Sequence, residues 1–298
     1  MISVVIPTYN REKTIKMAVD SVLDQTYRDI ELIIVDDAST DNTKEVISKM
    51  TDERIHYVQV KENAGACNAR NIGAKLAKGE YIAFQDSDDW WHSDKLEKQY
   101  RFMEEKGLDF SFCGMTRIML ENPNRKYYYP NINMDDSKEY FEQLLYLNRV
   151  GTQTIMCKSI CFEKIEFDVA LKRFQDWDFA LQASRNYSIG YLRESLVDSF
   201  VQLDSISKNS DANNQAWRNL YEKYMEDIAR YSYIKAKYLF RIGNEIVLKD
   251  QSQAVRYYKE SLSVKKSLTT GVFLILSLFR MKKIISFLLD YQKNRLFK

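Results

Sequence analysis

The chain is poor in the residues that punctuate or staple small extracellular folds. Its 298 residues contain 9 glycines, 3 prolines, 4 cysteines and 2 histidines. So little Gly and Pro excludes collagen-like and low-complexity classes. Four cysteines in a chain of this length exclude a disulfide-built scaffold. Cys67 and Cys113 stand apart, while Cys157 and Cys161 have the i,i+4 spacing of half a metal site. No His or further Cys lies near to complete it, so buried free thiols in a reducing compartment are expected. No stretch reaches the ~18 to 20 apolar residues that span a bilayer, so no spanning helix is expected. The apolar start at Ile2–Ile6 is short and runs into Pro7, so no signal peptide is expected, and the chain reads as cytoplasmic. Nor does one sign of charge dominate: 44 Lys+Arg face 42 Asp+Glu, a balance that does not suggest a nucleic-acid binder.

What is present is ordinary globular material, 45% hydrophobic and 29% charged, long enough for one large α/β domain and a smaller appendage. The first third alternates short β-branched runs with helical patterns, the mark of a parallel sheet wound with helices. Strands are predicted at Ser3–Ile6, Glu31–Val35, Ile55–Val60 and Glu80–Phe84. Helices are predicted at Lys13–Gln25, from a cap at Asp41 to Lys49, and at Ala66–Ala77. Two of the strands run out into acidic residues, Asp36-Asp37 and Asp86, at the edge where open α/β sheets gather ligands. The tyrosine-rich stretch Glu121–Ser137 reads as a surface loop, and Ser205–Asn214 as a mobile one. Gln215–Lys298 reads as helical almost throughout. Within it, Tyr231–Lys249 and Gln251–Lys266 form a candidate helical hairpin resembling a tetratricopeptide unit.

The strongest chemical signal is Asp86-Ser87-Asp88-Asp89, directly after the strand Tyr81–Phe84. Carboxylates two apart at a strand end can hold a hard divalent cation together with diphosphate oxygens. The bland alternative is a solvated turn or a cap, and Asp89 in particular reads equally as a helix cap or a site residue. Three further motifs precede it. Val4-Val5-Ile6-Pro7-Thr8-Tyr9-Asn10 offers Tyr9 for stacking on a base. Ile33–Asp41 ends a strand on a carboxylate able to accept from a uracil N–H. Asn63–Gly73 brings Arg70, suited to a phosphate or a base edge.

These four motifs in this order resemble the family 2 glycosyltransferases, inverting enzymes with the GT-A nucleotide-diphospho-sugar transferase fold. The likeness is strong over about the first 110 residues and fainter to about Ser207. It implies a Rossmann-like, mostly parallel sheet flanked by helices over residues 1–210, with a helical extension over 211–298. It also implies transfer of a hexosyl or N-acetylhexosaminyl group from a UDP-sugar to a hydroxyl of a saccharide or lipid-linked saccharide, in surface polysaccharide or glycoconjugate biosynthesis. By the same likeness Pro7, Thr8, Tyr9 and Asp37 line the nucleobase pocket and Arg70 contacts the nucleotide. Asp86 lies near ribose and donor sugar, and Asp88, with Asp86 as a possible second ligand, holds Mn²⁺ or Mg²⁺. The family places a catalytic carboxylate in a Glu-Asp pair at a helix start. Here the stretch is Phe174-Gln175-Asp176-Trp177-Asp178-Phe179, with Gln175 in the glutamate's place. Asp176 is therefore the candidate general base, with Asp178 as the alternative; the competing reading makes Asp176 a helix cap beside a Trp177 and Phe179 core. Gly151–Thr154, Thr154 above all, and Trp177 are candidate acceptor residues, or else packing.

One departure bears on the metal. The family's His or Arg ahead of a late Ser-x-Ser is missing from Phe200–Ser207, and His92, just past the aspartates, reads as a surface residue. At the C-terminus, Leu268–Phe279 and Ile284–Leu289 are apolar and flanked by Arg280, Lys282, Lys283, Lys293, Arg295 and Lys298. That pattern fits a helix lying on an anionic membrane face, or one docked on this chain or on a second copy in a homo-oligomer. Three rivals remain. A processive membrane synthase lacks its spanning helices here, and a sugar-nucleotide pyrophosphorylase lacks its Gly-rich N-terminal loop. The third is a non-catalytic nucleotide-binding partner of an active transferase.

Overall fold

The computed structural model describes residues 1–130, 134–201 and 210–295. Residues 202–209, with most of the stretch that lacks the late His or Arg and the first half of the predicted mobile loop, lie outside them. The second half, residues 210–214, is not a loop but the opening of a helix, since Ser and Asp serve as helix-start residues as readily as loop ones. Two compact units are present: Met1–Ala170 with Phe174–Leu203, and Leu171–Arg173 with Asp204–Lys298.

In the first unit, β1 (Ile2–Thr8), β2 (Ile30–Asp36), β3 (Ile55–Gln59) and β4 (Tyr81–Phe84) lie in the order β3-β2-β1-β4, all parallel. The helices α1 (Ile15–Leu23), α2 (Thr43–Ser48) and α3 (Ala66–Leu76) form the crossovers. Every residue of β1 and β2 is buried. Covered on both faces, such strands need continuous apolar runs rather than alternation. Their helices bring the matching stripe: Ile15, Ala18, Val19 and Val22 of α1 join Val4, Ile6, Leu32 and Ile34 in one core.

The helix α3 approaches the sheet most closely at Gly73, where a Cβ would stand 2.3 Å from Val5 Cγ1 and 3.3 Å from Val35 Cγ2. Only glycine fits there. Its absent side chain lets α3 sit down on β1 and β2, which fixes where Arg70, one turn earlier, can reach.

Past β4 the chain forms the two-residue β5 (Trp90–Trp91), α4 (Lys95–Lys106), β6 (Phe110–Met119), β7 (Asn122–Tyr129), α5 (Tyr140–Tyr146), β8 (Ile155–Lys158), α6 (Gln175–Asn186) and β9 (Ile189–Val201). The sheet continues β4-β8-β6-β9-β5, with β7 on β6. The parallel character expected from the first third holds for β3-β2-β1-β4. Beyond β4 the sheet is mixed, since β8 pairs antiparallel with β4 and β6 while β9 pairs parallel with β6.

A second expectation is corrected. The stretch read as a loop contains β7, paired antiparallel with β6 from Met115↔Tyr129 to Met119↔Asn122. The run Tyr127-Tyr128-Tyr129 has the aromatic β-preference that outweighs the polar residues before it.

The second unit is helical: α7 (Ser210–Lys223), α8 (Met225–Arg230), α9 (Ser232–Ile246), α10 (Gln251–Val264), α11 (Leu268–Leu278) and α12 (Lys282–Arg295). The predicted hairpin is present as α9 packed on α10. Asp250 accepts the Gln253 N–H to cap α10, and Ser267 accepts the Thr270 N–H to cap α11. No helix among the described residues is long and apolar enough to cross a membrane.

Candidate active site

Parallel strands that start together end together, so β1, β2 and β4 deliver the predicted motifs to one edge of the sheet. Thr8 pairs with Asp36, and Val5 with Phe84. Thr8 is 3% exposed and its hydroxyl is buried without a hydrogen-bond partner. Tyr9 is 43% exposed beside it. Asn10 and Ala38 both hold positive φ, 52° and 63°. For residues with a Cβ this costs about 1–2 kcal/mol each, and such strain concentrates where a loop must present its groups in one particular way.

Asp37 is buried, and its carboxylate accepts from the Ala64 N–H at 2.9 Å and the Gly65 N–H at 2.7 Å. It therefore ties the end of β2 to the loop entering α3. Gly65 supplies the φ of +92° that this turn needs. Two accepted bonds still leave each oxygen a free lone pair for a ligand N–H.

The loop 85–89 is pinned at both ends. Gln85 N–H donates to Val5 O at 3.0 Å, and at the far side the Trp91 side chain is fully buried with its Nε1 donating to Gln153 O at 2.9 Å. Asp89, read from sequence as a cap or a site residue, caps no helix. It is 4% exposed and accepts from Gln153 Nε2 at 2.7 Å and from the Phe200 N–H at 3.0 Å. Burial, and then the neighbouring Asp86 and Asp88, push its carboxyl well up. Its role is to hold the acidic loop to the end of β9 and to the segment before β8.

Asp86 and Asp88 stay partly exposed, each with one cation. Arg70 Nη2 donates to Asp86 Oδ1 at 2.8 Å, and Arg11 Nη2 stands 3.4 Å from Asp88 Oδ2. Partial withdrawal from water, then Asp86, raise the Asp88 carboxyl, while Arg11 and Arg70 pull it back. Two like charges on one loop are relieved by a divalent cation, and their oxygens are the hard donors that Mn²⁺ or Mg²⁺ prefers. Among the described residues no group of three or more His, Cys, Asp or Glu is arranged for a metal. A cation here would thus take most of its ligands from water and diphosphate. The residues present fit that arrangement. His92 is paired instead with Asp198, at 3.4 Å.

Arg70 is 6% exposed, stacks 5.4 Å from the Phe167 ring centroid, and reaches Gln175 Oε1 at 3.3 Å with its other nitrogen. Its Nε is buried without a partner. Through this one guanidinium the acidic loop is joined to the first turn of α6. Asn71 makes a second join, its amide exchanging two hydrogen bonds with the Phe167 backbone at 2.8 and 2.9 Å.

At the start of α6, Phe174 holds a φ of 63°. Asp176 Oδ1 accepts the Trp177 N–H at 2.7 Å and lies 3.4 Å from Asn148 Nδ2. Burial raises its carboxyl, and Arg117 and Arg70 lower it in part. Asp178 is fully buried, with Oδ2 accepting from Gln182 Nε2 at 2.7 Å. Residues two apart on a helix face apart, so of the pair it is Asp176 that stands toward Arg70 and Asp86. The acceptor candidates are not brought to the cleft: Trp177 is 1% exposed with Nε1 donating to Leu144 O, and Thr154 is 1% exposed with its hydroxyl donating to Gly151 O.

Sequence reasoning missed Arg11, Asn148, Arg117 and Tyr129. Arg117 lies 4.6 Å from the Tyr129 ring centroid, and Tyr129 donates to Asn148 O at 2.9 Å, which sets the amide beside Asp176. The hairpin β6–β7 creates this cluster, and the signal for it was the tyrosine run in β7.

The family model of glycosyl transferase family 2 matches residues 3–163. The chain belongs to that family. TuaG of Bacillus subtilis, named for teichuronic acid biosynthesis, is 50% identical over 116 residues, 38% of this chain and 46% of that protein. The β-1,3-glucosyltransferase WfgD of Escherichia coli, named for UDP-Glc and α-D-GlcNAc-diphosphoundecaprenol, is 30% identical over 237 residues, 78% of this chain and 90% of that protein. Its E. coli counterpart WfaP is 46% identical over 114 residues, 38% of this chain and 45% of that protein. The match thus spans just under half the length of TuaG and of WfaP. Among solved structures, S. aureus TarS 1-349 in complex with UDP superposes with a TM-score of 0.67 at 20% identity, covering 98% of this chain and 91% of that one. The mannosyltransferase PcManGT from Pyrobaculum calidifontis, in complex with GDP-Man and Mn²⁺, gives 0.62 at 16% identity, covering 97% and 84%. The fold is GT-A, as the sequence resemblance implied.

Proposed function

We propose that the chain is an inverting glycosyltransferase that moves a hexosyl or N-acetylhexosaminyl group from a UDP-sugar to a hydroxyl of a lipid-linked saccharide in surface-polymer synthesis. The observation that carries the reading is the brace made by Arg70, which joins the Asp86–Asp89 loop to the helix turn bearing Asp176. Donor-side and acceptor-side carboxylates are thereby held in one cleft. The unpartnered Thr8 hydroxyl and the exposed Tyr9 ring beside Asp37 suit a nucleobase pocket with Pro7 as its floor. UDP as the nucleotide and a lipid-linked acceptor are supported by the names of WfaP and WfgD.

In this reading Asp176 takes the acceptor proton as the acceptor oxygen bonds to the anomeric carbon. The bond from that carbon to the diphosphate oxygen breaks, and UDP leaves from the opposite face, inverting the centre. Asp88, with Asp86, would hold Mn²⁺ or Mg²⁺, whose charge stabilises the departing diphosphate. Residues 1–210 form the catalytic domain, and 211–298 place it at the cytoplasmic face of the membrane, where a lipid-linked acceptor is found.

The test is UDP release from a panel of UDP-sugars with Mn²⁺ or Mg²⁺ and a polyprenyl-diphosphate saccharide acceptor. One sugar should give metal-dependent release that Asp88→Ala abolishes, and Asp176→Asn should lower kcat by about 10²–10⁴ with UDP affinity kept. UDP binding without turnover on any acceptor would instead mark a non-catalytic partner subunit, the reading that Gln175 favours. No UDP binding would refute both.

A further inference from the structure

The last two helices bury one apolar face and expose further apolar side chains on another. One face is used inside the unit: Phe273 and Ile285 are buried with Ile246, Val247, Ala254 and Tyr258. The opposite face is not. Leu268, Val272, Ile275 and Leu278 recur at helical spacing along α11 and are exposed, Leu268 to 90%. Phe279, at the turn, is 75% exposed and Phe287 of α12 is 68% exposed. An exposed apolar row of this length, continued past the turn by Phe279 and Phe287, marks a contact surface.

Beside the start of this face, a cavity of about 380 Å³ opens between α9, α10 and α11. Lys237, Lys265 and Lys266 line it with the hydroxyl residues Ser267, Thr269 and Thr270, and no acidic residue is among its lining. The Lys265 ammonium also stands 5.5 Å from the Tyr233 ring centroid, at the same cavity. Lys265 and Lys266 beside hydroxyl side chains, with no carboxylate in the lining, make a setting for a phosphate monoanion. Lys282 and Lys283 are exposed at the start of α12.

We infer that this face of the helical unit docks on an anionic phospholipid surface, with the lysine-lined cavity receiving a headgroup phosphate and the exposed Leu, Ile and Phe side chains entering the interfacial layer. The inference rests on the membrane-surface placement proposed above and names its contact. Charge decides between a membrane and a second copy. Between Lys265 and Tyr291 the chain has five basic residues, Lys265, Lys266, Arg280, Lys282 and Lys283, and one acidic, Asp290, although its overall net charge is only +2. A two-fold contact would set that cationic patch against itself, whereas an anionic bilayer complements it.

The experiment is co-sedimentation of the full chain with phosphatidylcholine vesicles, with and without phosphatidylglycerol. Tight binding is expected only when phosphatidylglycerol is present, with a weak residual on phosphatidylcholine alone through the apolar face. It should fall about 10-fold or more in Lys265→Glu/Lys266→Glu, and comparably in Phe279→Ser/Phe287→Ser, whose exposed positions leave the fold intact by circular dichroism. UDP binding by both variants should be unchanged, so failure of the transfer chemistry and failure of lipid docking are read separately. Absence of wild-type binding to phosphatidylglycerol vesicles would overturn the inference, as would equal binding by the charge-reversed variant. A wild-type dimer in sedimentation velocity that Phe279→Ser/Phe287→Ser dissolves, without vesicle binding, would assign the face to a second copy. Thermal stabilisation by inorganic phosphate through Lys265 and Lys266, again without vesicle binding, would make the cavity a soluble-anion site.

Discussion

Arg70 meets partners from distant parts of the sequence, Asp86 at 2.8 Å and Gln175 at 3.3 Å. A planar fork can hold both in one fixed geometry, which a lysine's single ammonium cannot. Arg70→Lys keeps the charge and loses the brace, so kcat/KM for UDP release should fall roughly 10-fold or more; an unchanged value would show that the two carboxylate loops need no such link. The Asp176 carboxyl tests the same site through pH. Burial raises its folded-state pKa, and Arg117 holds it partly down. In the proposed role of base Asp176 must be deprotonated to act, so activity should be lost as pH falls through this raised value, above the ordinary aspartate figure of about 3.9. Removing the opposing cation in Arg117→Ala should move that acid limb to still higher pH. A pH profile of kcat/KM that stays in place would remove Arg117 from the electrostatics of the base.

At the level of elements, the site depends on how closely α3 lies on the sheet. A methyl group at residue 73 would stand 2.3 Å from a carbon of the fully buried Val5. Gly73→Val should destabilise by at least the ~1–3 kcal/mol of core overpacking, read as a lower midpoint in urea unfolding, and should weaken UDP binding by displacing Arg70. Unchanged stability would mean that α3 can lift without cost. Elements such as α3 were legible because their signals are local: buried parallel strands read as apolar runs, and their helices as 3.6-residue stripes. The acidic loop at the end of β4 was legible for the same reason. The acceptor side was not. Trp177 looked like a sugar platform, yet its indole lies in the core with Nε1 bonded to Leu144 O. Asn148 and Arg117 reach Asp176 only through the hairpin β6–β7, a pairing across the sheet that no local period announces. Asp89 shows the same limit, since its partners Gln153 and Phe200 are 64 and 111 residues away.

Across the whole molecule, charge is divided in a way that the net value of +2 conceals. The strongly basic stretch from Lys265 onward means that the remainder of the chain is net acidic. In the proposed docking an anionic membrane would draw the basic C-terminal stretch and repel the acidic remainder, so the charge division favours contact through the helical unit. Exposed charges act through solvent, where added salt shortens their reach from ~10 Å at 0.1 M to ~3 Å at 1 M. The insertion of Phe279 and Phe287 is not screened in that way. Vesicle binding should therefore weaken steeply as sodium chloride is raised, yet level off at a residual set by the apolar face. The Phe279→Ser/Phe287→Ser variant should lose that residual and show the full salt dependence. UDP affinity, assigned in the proposed function to buried groups such as Arg70 and Asp37, should change far less over the same range, as isothermal titration can check. Vesicle binding indifferent to salt would mean that the lysines at the cavity contribute nothing to docking, and that apolar contact alone places the chain at the membrane.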